Sequence, residues 1–155
     1  MTAPNHALTG ALIGLTVSDP ILAGSLAFLS HFVCDAIPHY DSPASGTTAQ
    51  HKSSRFIGEQ LIGGATLCLL LVIWLAASRP HHWLLAAVCA FLAASPDLFW
   101  IPRFVHELRT GTDRPPRSWF LRFHAWVQWK TGPGLWWVET IWAAGLLVLV
   151  GDRLL

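Results

Sequence analysis

Residues 28–41 read FLSHFVCDAIPHYD, and the interpretation of the whole chain starts from the polar residues in this stretch. His31, Asp35 and His39 are each four residues apart, a spacing that aligns side chains along one face of a helix. Pro38 predicts the end of regular helix at this point. Two imidazoles and a carboxylate at the end of an apolar helix are costly to bury without partners. The stretch therefore predicts a polar cluster of the kind that binds a divalent metal ion.

The composition indicates a membrane protein. The chain has 155 residues, of which 53% are hydrophobic and only 12% are charged, whereas soluble domains carry about 25% charged residues. Nine Trp and eight Phe suit a protein with aromatic side chains at the membrane–water boundary. The length fits one domain, so residues 1–155 are predicted to form a single membrane domain.

Several functional classes lack support in the sequence. The formal net charge is +1 and no basic run is present, so no nucleic-acid partner is expected. The three cysteines lie in apolar segments without CxxC spacing and are predicted to be buried free thiols. The chain has no basic region before its first apolar segment, so we expect no cleaved signal peptide. Motifs of serine hydrolases, P-loop NTPases and zincins are absent from the sequence.

Apolar segments and helix-breaking residues predict an all-α fold, a polytopic bundle of about five apolar helices. These helices cover about 3–17, 20–37, 56–78, 83–101 and 135–151. The first is short for a span that needs ~20 residues, so it either crosses a thinned bilayer or forms half of a re-entrant hairpin. The aromatic, periodic segment at about 118–129 predicts a further helix lying in the headgroup layer.

The distribution of cationic residues predicts the orientation. Five crossings place the N-terminus and the loops 40–57 and 102–134 on one side, and the loop 79–82 and the C-terminus on the other. The first side carries eight of the ten Lys and Arg residues: Lys52, Arg55, Arg103, Arg109, Arg114, Arg117, Arg122 and Lys130. Cytoplasmic loops are enriched in Lys and Arg, so a bacterial-type inner membrane with the N-terminus inside is expected.

The candidate metal ligands share this cytoplasmic side. They are His6, His31, Asp35, His39, Glu59 and Asp97. Scattered structural polar residues would divide between the two faces of the membrane, so their shared depth supports a common site. Imidazole and carboxylate ligands without thiolate suit Zn, Mn, Fe or Mg, bound as one ion with an open position or as two ions ~3.5–4 Å apart. Of the carboxylates, Asp35, Glu59 and Asp97 are the candidate catalytic groups, because a carboxylate not used as a ligand can act as general base.

Each of these residues also has a simpler interpretation. The His31–Asp35–His39 face can be a polar helix end that meets headgroups and water, and His6 can be an interfacial histidine. Glu59 can be a favourable charge at a helix N-terminus. Glu139, beside two tryptophans, is interpreted as an interfacial residue.

Substrate contacts are predicted from the second cationic loop. Arg103, Arg117 and Arg122 can meet a phosphate group, and His124 in the segment 118–129 is placed with them. The aromatic residues of that segment would hold an acyl chain. The alternative for His124 is an ordinary polar position of an amphipathic helix.

The chain resembles a group of small bacterial inner-membrane proteins known as membrane-bound metal-dependent hydrolases. The resemblance rests on Asn5-His6 at the start of a Gly-rich apolar helix, on HFVCDAIPHYD, and on SPDLFW, and covers about the first 105 residues. It implies a membrane protein with a metal site. The order Asp-Ala-Ile-Pro-His departs from the group's Pro-Asp-x-Asp-His pattern, which leaves open whether Asp35 or Asp41 is the ligand.

These observations predict a metal-dependent hydrolase acting at the cytoplasmic membrane face on a phosphoester or lipid-linked substrate, with the lipid bilayer as its partner. One alternative is a small transporter or proton- or metal-handling protein that uses Asp35 and Asp97 along a path. Polar groups should then continue towards the opposite side, and the third and fifth helices carry few. A structural membrane protein with a non-catalytic polar cluster is the other alternative. The oligomeric state is left open.

Overall fold

The computed structural model describes residues 1–40, 62–110, 112 and 116–155. The fold is all-α, as predicted, and the described residues contain no β-strand beyond one isolated bridge. The α-helices are α1 (Ala3–Thr16), α2 (Pro20–Ala36), α3 (Gly64–Ser78), α4 (Trp83–Ala94), α5 (Ile101–Thr110), α6 (Trp119–Val127) and α7 (Trp136–Leu154). Two 3-10 segments, Ser95–Trp100 and Pro133–Leu135, precede α5 and α7.

Local sequence signals explain several helix ends. The Asp19 side chain accepts a hydrogen bond of 2.8 Å from the Leu22 N–H, and Pro20 occupies the first turn of α2. Ser118 caps α6 in the same way, accepting from the Leu121 N–H at 3.2 Å. Helix α2 ends at Ala36, because the residue before a proline disfavours the helical conformation.

The region after α4 differs from the prediction of one helix over 83–101 followed by a loop. The α-helix ends at Ala94, the chain tightens into the 3-10 segment Ser95–Trp100, and α5 then continues to Thr110. Pro96 lies in the first turn of the 3-10 segment, where its missing N–H breaks the α-helical hydrogen-bond ladder. Asp97 directly follows Pro96 in this 3-10 segment.

Helix α1 lies at the centre of the bundle and packs on α2, α3, α4 and α7. One core cluster joins Ala7 and Ala11 of α1 to Leu75 of α3 and Val150 of α7. A second cluster packs small residues of α2 against Cys89 and other residues of α4.

Small residues let α1 approach α4 very closely. A methyl group at Gly14 would lie 2.5 Å from the Ala86 Cα, and one at Gly10 would lie 2.7 Å from the Ala93 Cβ. Both distances are shorter than carbon–carbon contacts allow, so the backbones pack directly against each other. This close packing keeps the start of α1 near the end of α4, where the polar residues gather.

One helical segment in the described part of the chain, Trp83–Arg103, is long and apolar enough to cross a membrane. It covers 21 residues, and only 28% of its most apolar window is buried inside the protein. Helices α2 and α3 are apolar but shorter, at 17 and 15 residues. The predicted start of the third helix, at residue 56, lies outside the described residues.

Candidate metal centre

Four side chains from three elements offer ligand atoms that all lie within 4.8 Å of one another: His31, Asp35, Asp97 and His124. His31 and Asp35 come from the last turns of α2, Asp97 from the 3-10 segment Ser95–Trp100, and His124 from α6. All but Asp97 are buried. We call this group the His/Asp cluster; its composition makes it able to hold a metal ion.

Asp35 is the centre of the cluster. Its Oδ2 atom lies 2.9 Å from His124 Nε2 and accepts a 2.9 Å hydrogen bond from the Gln128 side-chain amide. Its Oδ1 atom contacts the Met1 nitrogen. Because the carboxylate is fully buried, these contacts offset part of the cost of removing its charge from water.

His31 and Asp97 complete the cluster. His31 Nε2 lies 3.2 Å from Asp35 Oδ2 and 3.6 Å from Asp97 Oδ1. Asp97 Oδ1 is also 3.7 Å from His124 Nε2, and the Asp97 side chain keeps 34% exposure. The two carboxylates predicted on separate helices thus meet around the same imidazoles, with Asp97 on the accessible side.

His6 lies directly against the cluster. Its ring stacks on that of His31 with centroids 4.0 Å apart, and its Nε2 lies 3.0 Å from Asp35 Oδ1. This short approach does not have hydrogen-bonding geometry, and neither ring nitrogen of the fully buried His6 finds a hydrogen-bond partner in the described part of the protein. Such an imidazole has a lone pair available for a ligand.

His39 lies at the edge of the group. Its Nε2 is 4.0 Å from Asp35 Oδ1, and its Nδ1 donates to the Ile37 carbonyl at 2.8 Å. Backbone hydrogen bonds of 3.3 Å to Lys130 and 3.2 Å from Gly132 tie His39 to the segment after α6. Burial lowers the pKa of His39, which keeps its imidazole neutral at pH 7.

Of the other predicted site residues, those that the structure describes are not part of the cluster. Glu59, and with it Asp41, lies outside the described residues. Arg117 and Arg122 are exposed. Arg103 places its guanidinium carbon 5.1 Å from the centre of the Trp100 ring, so it lies one side chain away from the cluster.

His124 and Gln128 have roles that the sequence interpretation missed. The prediction for His124 is a substrate-binding role, but its side chain is fully buried and touches Asp35. No role is predicted for Gln128. The two are four residues apart, the same spacing as His31 and Asp35, and this repeat of polar residues at helical spacing is the signal that could have found them.

Glu139 is also buried, which corrects its interpretation as an interfacial residue. Its Oε2 accepts hydrogen bonds of 2.6 Å from the Asn5 side chain and 2.7 Å from the Thr2 hydroxyl. The Asn5 amide also donates to the Glu139 carbonyl at 3.1 Å. These bonds attach the first turn of α1, and hence His6, to α7.

An apolar cleft of about 310 Å³ is lined by Ala36, Trp126, Val127 and Trp129. Ala36 follows Asp35 in the chain, and Val127 lies three residues after His124. The Trp129 indole N–H donates to the Ala36 carbonyl at 3.0 Å. This hydrogen bond links the two sides of the cleft.

Comparison with protein-family models, with curated proteins and with solved structures finds no match for this chain.

Proposed function

We propose that this chain is an integral membrane protein that binds a divalent metal ion at the His/Asp cluster. We further propose that it hydrolyses a phosphoester or other polar group of a lipid or lipid-linked substrate. The observation that carries the proposal is the convergence of His31, Asp35, Asp97 and His124 within 4.8 Å in a largely buried site. The resemblance to membrane-bound metal-dependent hydrolases supports the same assignment.

The residues present fit a metal ion. His31 Nδ1 lies 2.8 Å from the Ala93 carbonyl, which can only accept, so the ring proton is at Nδ1. In the neutral ring, the lone pair of Nε2 then points towards oxygens of Asp35 and Asp97 at 3.2 and 3.6 Å. A divalent ion would stabilise these three acceptors in addition to the Met1 nitrogen that contacts Asp35. His6 adds a fourth group, which has no hydrogen-bond partner among the described residues. Nitrogen and carboxylate ligands suit Zn, Mn, Fe or Mg.

Each residue has a chemical role in this proposal. A divalent metal, when bound, supplies Lewis acidity for attack of water on an ester. Asp35 and His31 would hold the ion from the buried side. Asp97, which is 34% exposed, faces the side from which a substrate can enter, and its free oxygen can take a proton from water. Glu59 remains a predicted ligand or base.

The membrane assignment is supported by the outer surface of the helices. Large apolar side chains are exposed on α2, α4 and α7, with exposed fractions of 81% for Ile21, 62% for Phe91 and 71% for Val148. Patches of this kind are rare on soluble monomers and suit contact with lipid tails. We propose that Trp83–Arg103 spans the bilayer and that α1, α2, α3 and α7 cross it beside this segment, with the N-terminus in the cytoplasm.

The surroundings of the cluster suit a lipid-linked substrate. Trp119 and Trp126 on α6 are each 73% exposed, which is typical of a helix in the headgroup layer. The apolar cleft lined by Trp126 and Trp129 can receive an acyl or isoprenoid chain, while Arg103 near Trp100 provides a cation for a phosphate group.

Hydrolysis in vesicles tests this function. Purified protein would be reconstituted with Zn²⁺, Mn²⁺ or Mg²⁺ and given a panel of phospholipids and polyprenyl phosphates. Release of the polar group by wild type, its loss in Asp35→Asn and its retention in Asp152→Asn, a change at an exposed aspartate of α7, are expected. A metal-bound wild type that hydrolyses no member of the panel contradicts the hydrolase assignment.

A structural role for the cluster is the second candidate, and the contacts of Asp35 favour it. The carboxylate already meets Gln128, His124 and the Met1 nitrogen, so protein groups alone satisfy much of its hydrogen-bonding capacity. In that case, added metal would not raise the unfolding temperature of the wild type. Asp35→Asn would then change stability without changing metal content.

A further inference from the structure

The hydrogen bonds of the imidazoles show that the histidines of the cluster are not equivalent. Histidine ligands of metals use one ring nitrogen and donate a hydrogen bond from the other, usually to a carbonyl or carboxylate. His31 follows this pattern, because its Nδ1–H donates to the Ala93 carbonyl and its Nε2 faces the two carboxylates. It presents a lone pair to the cluster.

His124 has the opposite arrangement. The Trp100 indole N–H donates to His124 Nδ1 at 3.0 Å, and an indole nitrogen can only donate. Nδ1 therefore accepts and carries no proton, so the proton of the neutral ring is on Nε2. That nitrogen lies 2.9 Å from Asp35 Oδ2 and 3.0 Å from His31 Nε2, and both are acceptors. His124 thus presents an N–H, not a lone pair, to the cluster.

We infer that His124 is a positioning residue that holds Asp35 by donating a hydrogen bond to Oδ2, and that Trp100 fixes the His124 tautomer that makes this possible. His124 is then not a metal ligand, although it lies among the ligands. The inference rests on the proposed metal site for its functional meaning, but the tautomer itself is a property of the protein without metal.

The assignment changes the expected ligand set. Asp35 Oδ2 receives hydrogen bonds from His124, near the end of α6, and from Gln128, the residue that follows this helix. Oδ1, on the other side of the carboxylate, contacts the Met1 nitrogen and lies 3.0 Å from His6 Nε2. Ligation then falls to His31, Asp35, Asp97 and His6. Helix α6 contributes donors that orient the carboxylate, as ligating carboxylates require.

Nitrogen NMR of the metal-free protein tests the tautomer directly. Wild type with ¹⁵N-labelled histidine in detergent micelles, with His124→Gln used to assign the resonances, would be examined through long-range nitrogen–proton correlations. We expect a protonated Nε2 and an unprotonated Nδ1 for His124, and the reverse for His31. A proton on His124 Nδ1, alone or with one on Nε2, overturns the inference whether or not the protein binds metal.

A pair of matched substitutions tests the functional meaning. The amide nitrogen of glutamine can replace the Nε2–H of a histidine as donor, but it has no lone pair for a metal. His124→Gln should therefore keep Zn²⁺ affinity within about threefold of wild type, whereas His124→Ala should lose about 10–100-fold. His31→Gln should lose at least as much as His124→Ala. Equal losses in His124→Gln and His31→Gln would make His124 a ligand.

These two experiments separate the inference from the proposed function. If the wild type binds none of the metals tested, the metal proposal fails and the NMR result alone decides the tautomer. If the wild type binds metal and His124→Gln loses it, the metal site stands and the positioning role of His124 fails.

Discussion

Glu139 is a buried carboxylate that is satisfied on only one side. Its Oε2 accepts from Asn5 and Thr2, while its Oε1 is buried without a hydrogen-bond partner among the described residues. A carboxylate in this condition depends strongly on the donors it has, because an unsatisfied buried charge is expensive. The Asn5–Glu139 pair therefore stabilises the start of α1 and with it the position of His6.

Asn5→Ala removes the 2.6 Å hydrogen bond to Glu139 and should lower the free energy of unfolding by about 1–3 kcal/mol. Glu139→Gln should cost less, since the amide oxygen can still accept from Asn5 and Thr2. Equilibrium unfolding in mixed detergent micelles measures both. A loss in Glu139→Gln as large as in Asn5→Ala would contradict this prediction, because the negative charge of Glu139 would then contribute as much as the hydrogen bonds from Asn5.

At the scale of single residues, the sequence identified those site residues that lie in apolar stretches of the chain. His31 and Asp35 stand out in an apolar helix, and the structure places both in the cluster. His124 and Gln128 do not stand out, because the helix around them also carries exposed polar residues such as Arg122. Only tertiary packing determines which polar face of such a helix is buried. The four-residue spacing of His124 and Gln128 indicates that they share a face of the helix, but it does not show that this face is buried.

Helix α1 contacts α4 through glycines, and this is the packing that brings His6 towards Asp97. Gly14→Ala should lower the free energy of unfolding by about 1–3 kcal/mol, because the new methyl group would lie 2.5 Å from the Ala86 Cα. Thermal unfolding of the protein in detergent measures the change.

Gly145→Ala is the control for that substitution. A methyl group at Gly145, in α7, would meet no atom within 4 Å, so the change should leave stability equal or raise it by up to about 1 kcal/mol. If Gly14→Ala proved as harmless as Gly145→Ala, the close approach of α1 and α4 would be wrong.

The helices were easier to predict from the sequence than the segments that connect them. Proline and capping residues mark the start of α2 and its end at Ala36. The 3-10 segment Ser95–Trp100 and the helix Ile101–Thr110 were predicted as a helix end and a loop. Their propensities are weak, and contacts such as the Trp100–His124 hydrogen bond determine their conformation.

At the scale of the whole molecule, the account predicts five crossings with the N-terminus inside and the C-terminus outside. The reason is the distribution of eight cationic residues on one side and two on the other. Reporter fusions after residues 80, 112 and 155 should report periplasm, cytoplasm and periplasm in that order. A cytoplasmic reporter at residue 155 would contradict five crossings.

The all-α class was predictable from composition and apolar periodicity, and the structure confirms it. The number of crossings was less accessible. One segment of the described residues, Trp83–Arg103, meets the length and composition of a span, whereas the apolar helices α2 and α3 have 17 and 15 residues.

Metal content per chain tests the central claim most directly. Wild type, Asp35→Asn and Asp152→Asn would be purified in detergent, loaded with Zn²⁺ or Mn²⁺, freed of loosely bound ions and analysed by mass spectrometry of the elements. Asparagine keeps the shape of Asp35 but lacks its charge, so the account predicts at least one metal ion per chain in wild type and Asp152→Asn and a loss of that ion in Asp35→Asn. Equal metal content in all three proteins, or none in wild type, would contradict a metal site at the His/Asp cluster.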